Sequence, residues 1–515
     1  MNRREFLRTA GLAAGALALP RGLWADAPVT TPAPTKRPNI VVILADDMGY
    51  SDIGCFGGEI QTPNIDRLAA GGMRFTQFYN CARCCPSRAA LLTGLYPHQA
   101  GVGDMLQDWN LPAYQKALNN KCVTMAEVLR SAGYATAMSG KWHLGDKPGH
   151  TPTARGFEHF KGLLGGSRSY FKPALPSAPA GTLPAYATDA YTETALSFLD
   201  QMGKDTKPFF LYLAYTAPHY PVHGLTEDIA KYRGKYAAGP RALAKQRWQR
   251  QAEMGLVNPN WPYHPDELLP ERNKHRPLVQ TELDAAPRGS ASPEEAMEIY
   301  AAQVDRLDQG VGRVVAKLTA LGALDNTLIL FLSDNGACQQ PDAYGPAWAT
   351  LSNTPFRRHK RWVHEGGIST PLVAHWPGGI PARGKLNNAL GHITDIMPTV
   401  LEVSGAKYPA AAIHPLAGSS LGQLLRGGTR AEPEFLVWEH EGNRAIRDGK
   451  WKLVSAHDDH DRWELYDIEA DRTENLNLAD KEPDRVKQLV ARYDEWAKQS
   501  NVVPFDEINK VTPKK

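Results

Sequence analysis

The side chains in this chain most able to do chemistry fall in short polar blocks, and the densest is Cys84-Cys85-Pro86-Ser87-Arg88-Ala89-Ala90-Leu91-Leu92-Thr93-Gly94. Pro86 suits the first turn of a helix, the run to Thr93 is helix-compatible, and Gly94 stops it. Cys84 then sits at a helix N-terminus, where free backbone N–H groups and the positive end of the dipole favour an anion. Arg88, about one turn further in, can face the same spot. Two plainer roles compete for the cysteines. Cys81 and Cys84 have Cys-x-x-Cys spacing, but a structural zinc site takes four ligands, usually as two such pairs, and Cys55, Cys122 and Cys338 stand alone. Six cysteines in 515 residues are no disulfide framework, although one incidental bridge is compatible with an exported chain.

Further polar blocks follow apolar runs that read as buried strands. Residues 39–45 lead into Asp46-Asp47, 135–139 into Gly140-Lys141-Trp142-His143-Leu144-Gly145, 209–215 into Ala217-Pro218-His219, and 327–332 into Ser333-Asp334-Asn335-Gly336. Four strands thus deliver charged or coordinating residues just past their carboxyl ends, where open α/β sheets build their sites. Asp-Asp or Asp-Asn-Gly alone is more often turn chemistry, and an isolated lysine is normally a solvated charge; it is their coincidence that favours a shared site. Adjacent strand residues face opposite sides, so Asp46 and Asp47 meet one ion only if the strand has broken into a loop, which Met48-Gly49-Tyr50 permits. The carboxylates of Asp46, Asp47 and Asp334 with the Asn335 carbonyl form an all-oxygen set suited to a hard divalent cation, calcium or magnesium rather than zinc.

In this order, ending with Lys360 before Glu365-Gly366-Gly367, the blocks resemble the sulfatase family, and Cys84-x-Pro86-x-Arg88 through Leu92-Thr93-Gly94 is similar to the signature that marks a sulfatase cysteine for conversion to formylglycine. The resemblance implies hydrolysis of aryl or carbohydrate sulfate monoesters to an alcohol and inorganic sulfate. By the same resemblance, Asp46, Asp47, Asp334 and Asn335 with the side chain at Cys84 hold one divalent cation, calcium or alternatively magnesium, and Arg88, Lys141, His143, His219 and Lys360 complete the catalytic pocket. The resemblance further implies that hydrated formylglycine attacks sulfur with Asp334 as base, that His219 protonates the leaving oxygen, and that a second hydroxyl then loses its proton towards His143, expelling sulfate. The implied partners are a sulfated small molecule or glycan as substrate and, transiently, the formylglycine-generating enzyme. Many members carry an arginine before the proline where this chain reads Ile368-Ser369-Thr370-Pro371, so that arginine's role does not transfer. The alternatives are a phosphonate or phosphate ester hydrolase on the same scaffold and a non-catalytic binder of sulfated glycans.

The elements that must position these residues alternate strand and helix, which predicts an α/β fold. The resemblance implies the alkaline-phosphatase-like form: a large mixed, mostly parallel sheet sandwiched by helices, with a small C-terminal antiparallel sheet plus helix. Residues 39–430 read as the catalytic domain and 431–515 as the C-terminal subdomain, with strands near 435–438, 443–447, 451–454 and 464–467 and a helix over 484–499. A long helix is expected over 294–321. Residues 227–293, rich in charge and proline, read equally as a shaper of substrate access or a cover for the sheet edge.

Ahead of all this, Arg3-Arg4 and the short apolar stretch from Thr9 to Pro20, with a small-x-small site at Ala25-Asp26-Ala27, read as a twin-arginine signal over 1–27, followed by a Pro/Thr-rich linker over 28–38. The stretch is too short for an ordinary membrane span, so an exported, periplasmic protein without a stable membrane anchor is expected. Four arginines against two acids up to Ala27 carry two of the three formal positive charges. The mature chain is nearly neutral and has no footprint for nucleic acid.

Overall fold

The computed structural model describes residues 36–105, 107–171, 186–264, 292–340, 343–409 and 413–508, with 510, 511 and 513. The signal over 1–27, the linker as far as residue 35, and 265–291 of the charged excursion lie outside the described residues. Strands are numbered in chain order as β1 (Asn39–Asp46), β2 (Met73–Phe75), β3 (Phe78–Tyr79), β4 (Ala135–Lys141), β5 (His159–Leu163), β6 (Phe209–Pro218), β7 (Thr327–Ser333), β8 (Leu372–His375), β9 (Lys385–Asn387), β10 (Gly391–His392), β11 (Leu436–His440), β12 (Asn443–Asp448), β13 (Trp451–Ser455) and β14 (Trp463–Asp467).

The main sheet runs β5-β4-β6-β1-β7-β8-β2-β9. Only β8 is reversed, pairing antiparallel with β7 and β2, while every other pairing is parallel. Along β1, Val41, Ile43 and Ala45 enter one hydrophobic cluster and Ile40, Val42 and Leu44 the other. Both faces are therefore covered, which is why the strand reads as an unbroken apolar run instead of an alternating one. Helices Pro63–Ala70, Ala187–Met202 and Pro293–Ala320 cover the first face; Cys84–Thr93, Met125–Ser131 and Ile396–Ser404 cover the second. The long helix opens at Ser292, whose hydroxyl accepts the Glu295 N–H at 3.1 Å, with Pro293 as its first residue. All six cysteines are buried and free, so the incidental disulfide does not form. Among the described residues no helix is long and apolar enough to cross a membrane.

Strands β11 to β14 form an antiparallel sheet in sequence order. One face, with Val437, Ile446, Leu453 and Leu465, receives Leu489, Tyr493 and Trp496 of helix Pro483–Gln499. The other, with Trp438, Ala445, Val454 and Tyr466, packs on Tyr79, Val363 and Ile368. At that seam lies a buried ionic cluster. Lys452 Nζ reaches Glu365 Oε1 at 2.8 Å and Glu474 Oε1 at 2.9 Å, while Arg472 Nε donates to Glu365 Oε2 at 2.7 Å. The Tyr79 hydroxyl also donates to Glu365 Oε2, at 2.9 Å. Burial raises the Glu365 carboxyl, but Lys452 and Arg472 outweigh it and hold the group below its ordinary range; burial pushes Glu474 up. Lys452→Met removes the cation that both carboxylates share. Taking one member from a buried charge network costs about 3–5 kcal/mol, so denaturant unfolding of this variant is expected to show a loss of that size, and an unchanged midpoint would contradict the account.

Candidate active site

Strands β4, β6, β1 and β7 are consecutive in the sheet, and the polar blocks that follow them emerge side by side at its carboxyl edge. The register of β1 against β6 slips between Leu44 and Asp46, and Asp47 takes a left-handed backbone with φ 66°. The strand has thus broken where the sequence requires it to, and both carboxylates turn to one side. Such a conformation costs a non-glycine residue about 1–2 kcal/mol, least for Asp and Asn. It is held by its surroundings: the Asp47 N–H donates to Asp334 Oδ1 at 3.2 Å, and the Tyr300 hydroxyl oxygen packs 3.3 Å from the Asp47 carbonyl oxygen. His143 is also left-handed, with φ 59°. Two glycines allow backbones to close around the site. A Cβ on Gly140 would lie 1.9 Å from the Ala214 carbonyl oxygen, and one on Gly336 would lie 1.9 Å from that of Gly366, so the Asp-Asn-Gly and Glu-Gly-Gly blocks can touch only without side chains there.

Helix Cys84–Thr93 points its N-terminus into this edge, and all ten of its residues are buried. Cys84 Sγ lies 3.6 Å from Asp46 Oδ1 and 3.9 Å from Asp47 Oδ1. Each carboxylate has its own cation. Lys141 Nζ is 2.6 Å from Asp46 Oδ2, Lys360 Nζ is 2.7 and 2.9 Å from the two oxygens of Asp47, and Arg88 grips Asp334 Oδ2 through Nε at 2.9 Å and a terminal nitrogen at 2.7 Å. Lys141 and Lys360, which as lone lysines would be solvated, are 0% and 3% exposed. Asn335 Nδ2 donates to Asp47 Oδ1 at 2.7 Å. His219 Nδ1 lies 2.6 Å from the Tyr220 carbonyl, which fixes the N–H there and turns Nε2 towards Asp47 Oδ2 at 3.6 Å. The fold thus links Asp46, Asp47, Cys84, Arg88, Lys141, His219, Asp334, Asn335 and Lys360 through direct contacts, while His143 makes no hydrogen bond or ion pair with them among the described residues.

The electrostatics are those of a crowded anion cluster offset by cations. Burial raises the Asp47 carboxyl, but Lys360, His219 and Lys141 together hold it well below the carboxylate range. Burial and the neighbouring Asp46 push Asp334 up, against Arg88 and Lys141. The Cys84 thiol is raised by burial but drawn down overall, to about 6, by Lys141 and Lys360. His143 is lowered well below its ordinary value by burial and then by Lys141 and Arg88, so it stays neutral.

A divalent cation fits these residues. Asp46, Asp47, Cys84 and His219 offer ligand atoms all within 4.8 Å of one another. The Asn335 Oδ1 is buried without a hydrogen-bond partner, an arrangement that costs about 1–3 kcal/mol unless something else takes the lone pairs. Lys141 and Arg88 engage the Oδ2 atoms of Asp46 and Asp334, leaving Asp46 Oδ1 directed at the Cys84 side of the cluster.

Sequence reasoning missed the brace beneath the Asp47 loop. Helix Gly239–Glu253, inside the excursion, buries Arg247, which reaches Asp52 Oδ1 at 2.9 Å and Glu59 Oε1 at 2.7 Å. Asp52 Oδ2 in turn accepts the Gly49 N–H at 2.8 Å and the Tyr300 hydroxyl at 2.6 Å. No local signal announces a partner 195 residues away.

Comparison with known proteins agrees with this geometry. The family model for Sulfatase matches residues 38–406, and the model for N-sulphoglucosamine sulphohydrolase, C-terminal, matches 357–499. The chain is 34% identical to an arylsulfatase of Klebsiella aerogenes over 76% of this chain and 93% of that one, and 31% identical to arylsulfatase A of Homo sapiens over 87% and 84%. Among solved structures, Ps i-CgsB in complex with k-i-k-neocarrahexaose is 29% identical with a TM-score of 0.67, covering 90% of this chain and 93% of that one. BT4656 in complex with its substrate D-Glucosamine-2-N, 6-O-disulfate is 25% identical with a TM-score of 0.66, covering 91% and 99%. The fold is the alkaline-phosphatase-like one, and with matches of this extent the chain belongs to the sulfatase family and is a sulfuric ester hydrolase.

Proposed function

We propose that Cys84 is the nucleophilic position, carried as formylglycine in the active protein, and that Asp46, Asp47, Asp334 and Asn335 hold one calcium ion beside it. The observation that carries this reading is the cluster of three buried carboxylates at the sheet edge, two of them in contact with the Cys84 side chain and each paired with a buried cation. An all-oxygen donor set suits a hard cation, with magnesium the alternative. Once in place, the modified side chain supplies an oxygen nucleophile and the cation supplies positive charge for it and for the sulfuryl group.

The remaining work falls to the side chains themselves. Lys141, Lys360 and Arg88, each paired with a different carboxylate of the cluster, offset the charge that shifts among the sulfuryl oxygens in the transition state, and their burial strengthens that effect. Asp334 accepts the proton of the attacking hydroxyl. His219 is held by Tyr220 with Nε2 facing inward, the atom placed to protonate the leaving oxygen, and neutral His143 takes up a proton as sulfate departs. The substrates are aryl or carbohydrate sulfates. The twin-arginine sequence directs the protein to the periplasm, and a formylglycine-generating enzyme is a transient partner.

Mass spectrometry of the peptide spanning Cys84, from protein made in a host able to modify it, tests this. Sulfur replaced by oxygen is the expected result, and an intact thiol in fully active protein overturns the reading.

A further inference from the structure

The Asp334-Asn335 turn is tied down on both sides by one stretch of chain, residues 366–370. Before it, the Ser333 N–H donates to Thr370 Oγ1 at 2.9 Å, and that hydroxyl donates back to the Ser333 carbonyl at 3.0 Å. After it, the Gly336 N–H donates to the Gly367 carbonyl at 3.0 Å. The stretch has little rigidity of its own. Helix Glu365–Ile368 is a single turn, and one turn fixes more dihedral angles than its few hydrogen bonds can offset. Something outside it has to hold it.

That part is taken by Arg472, from the segment between β14 and helix Pro483–Gln499. Its Nε donates to Glu365 Oε2 at 2.7 Å, one terminal nitrogen donates to Ser369 Oγ at 3.1 Å, and the other donates to the Thr76 carbonyl at 2.6 Å. Ser369 Oγ in turn donates to Glu365 Oε2 at 3.1 Å, so both ends of the helical turn are pinned to one planar group. Thr76, directly after β2, ties that group to the main sheet. The arginine is 1% exposed, with its guanidinium carbon 4.5 Å from the centre of the Phe356 ring. A rigid fork of five donors can serve three acceptors at once, which a lysine ammonium at the end of a flexible stem does not reproduce. The stretch Ile368-Ser369-Thr370-Pro371 carries no cation of its own, and the C-terminal subdomain supplies one. Among the described residues Arg472 makes no hydrogen bond or ion pair with Asp46, Asp47, Cys84, Asp334 or Asn335, so its influence on them passes through 365–370.

We propose that Arg472 is a positioning residue for the Asp334-Asn335 turn, acting through Glu365 and Ser369 to hold the pair where it binds the cation and where Asp334 meets the nucleophile. The C-terminal subdomain thereby sets the metal affinity of a site it does not touch. The proposal rests on the metal-site reading of Asp334 and Asn335. Its test titrates calcium into the full, modified, chelator-treated chain by calorimetry and measures kcat and KM on 4-nitrophenyl sulfate. Arg472→Lys keeps a cation beside Glu365 but loses the fork, and calcium affinity and kcat are each expected to fall about tenfold or more, with KM moving by less than about threefold. Ser369→Ala leaves the Arg472–Glu365 pair in place and removes one link, and a smaller shift in the same direction is expected. Leu489→Ala, on the opposite face of the subdomain sheet, serves as the control: it lowers the thermal midpoint while leaving calcium affinity and kcat at the parent values. Parent-like calcium affinity and kcat in both Arg472→Lys and Ser369→Ala, or an equal loss in Leu489→Ala, overturns the positioning role while calcium binding by the parent leaves the metal-site reading standing. A parent chain that binds no calcium overturns both.

Discussion

Cys84→Ala is expected to lower kcat/KM on 4-nitrophenyl sulfate by roughly 10⁴- to 10⁶-fold, the scale on which removal of a nucleophile acts in other hydrolases. The surrounding geometry explains why so little would remain. The Cys84 side chain lies in contact distance of both Asp46 and Asp47, and without it the buried lysines and Arg88 have a sulfuryl group to bind but nothing to attack it with. Cys84→Ser should be as slow at steady state, because a serine sulfate ester has no second hydroxyl to expel sulfate. An alanine variant that keeps a tenth of wild-type activity would exclude Cys84 as the nucleophile. Only a small side chain is lost, so thermal unfolding of both variants should stay near that of the parent.

Asp47→Asn should cost about 10³-fold in kcat, or ~4 kcal/mol of barrier, and weaken binding of calcium to chelator-treated protein by more than about 100-fold in a calorimetric titration. Asparagine tolerates the left-handed backbone that position 47 requires, so the change removes charge and leaves the turn intact. What it disrupts is the position where Lys360, His219, Asn335 and Cys84 converge. It also leaves the Lys360 ammonium buried without a counter-charge. Adding Lys360→Met should therefore recover stability without recovering turnover, and recovery of both would mean that Asp47 serves the fold alone.

The sequence revealed the parts of this arrangement that obey local rules. Strands β1, β4, β6 and β7 could be read because burial on both faces leaves a continuous apolar run, and the polar residues after each run could be read because nothing apolar interrupts them. The four C-terminal strands were visible as short runs separated by turns such as Asp448-Gly449-Lys450, with helix Pro483–Gln499 after them. The edge of the main sheet was hidden: β2 and β9 are three residues long and β8 four, too short to establish a period, and the reversal of β8 depends on partners distant in the chain. After β10 a tight turn, Ile393–Asp395, precedes the regular helix Ile396–Ser404, a junction no local period announces. The two buried ionic clusters were equally hidden. Glu365 meets Lys452 and Arg472 across 87 and 107 residues, and each of these side chains taken alone has the composition of solvated surface.

The burial of helix Cys84–Thr93 on every side sets a timetable. In the finished protein Cys84 is 1% exposed, and no second macromolecule can take hold of an extended peptide there. Any enzyme that remakes this residue has to arrive before β7 docks against β1, and β7 begins at Thr327, about 240 residues further along the chain. At roughly 5–20 residues per second of synthesis, that spacing leaves some 12–50 s between the appearance of Cys84 and the first moment the sheet can close over it. The position of a strand in the gene thus doubles as a clock for chemistry elsewhere in the chain.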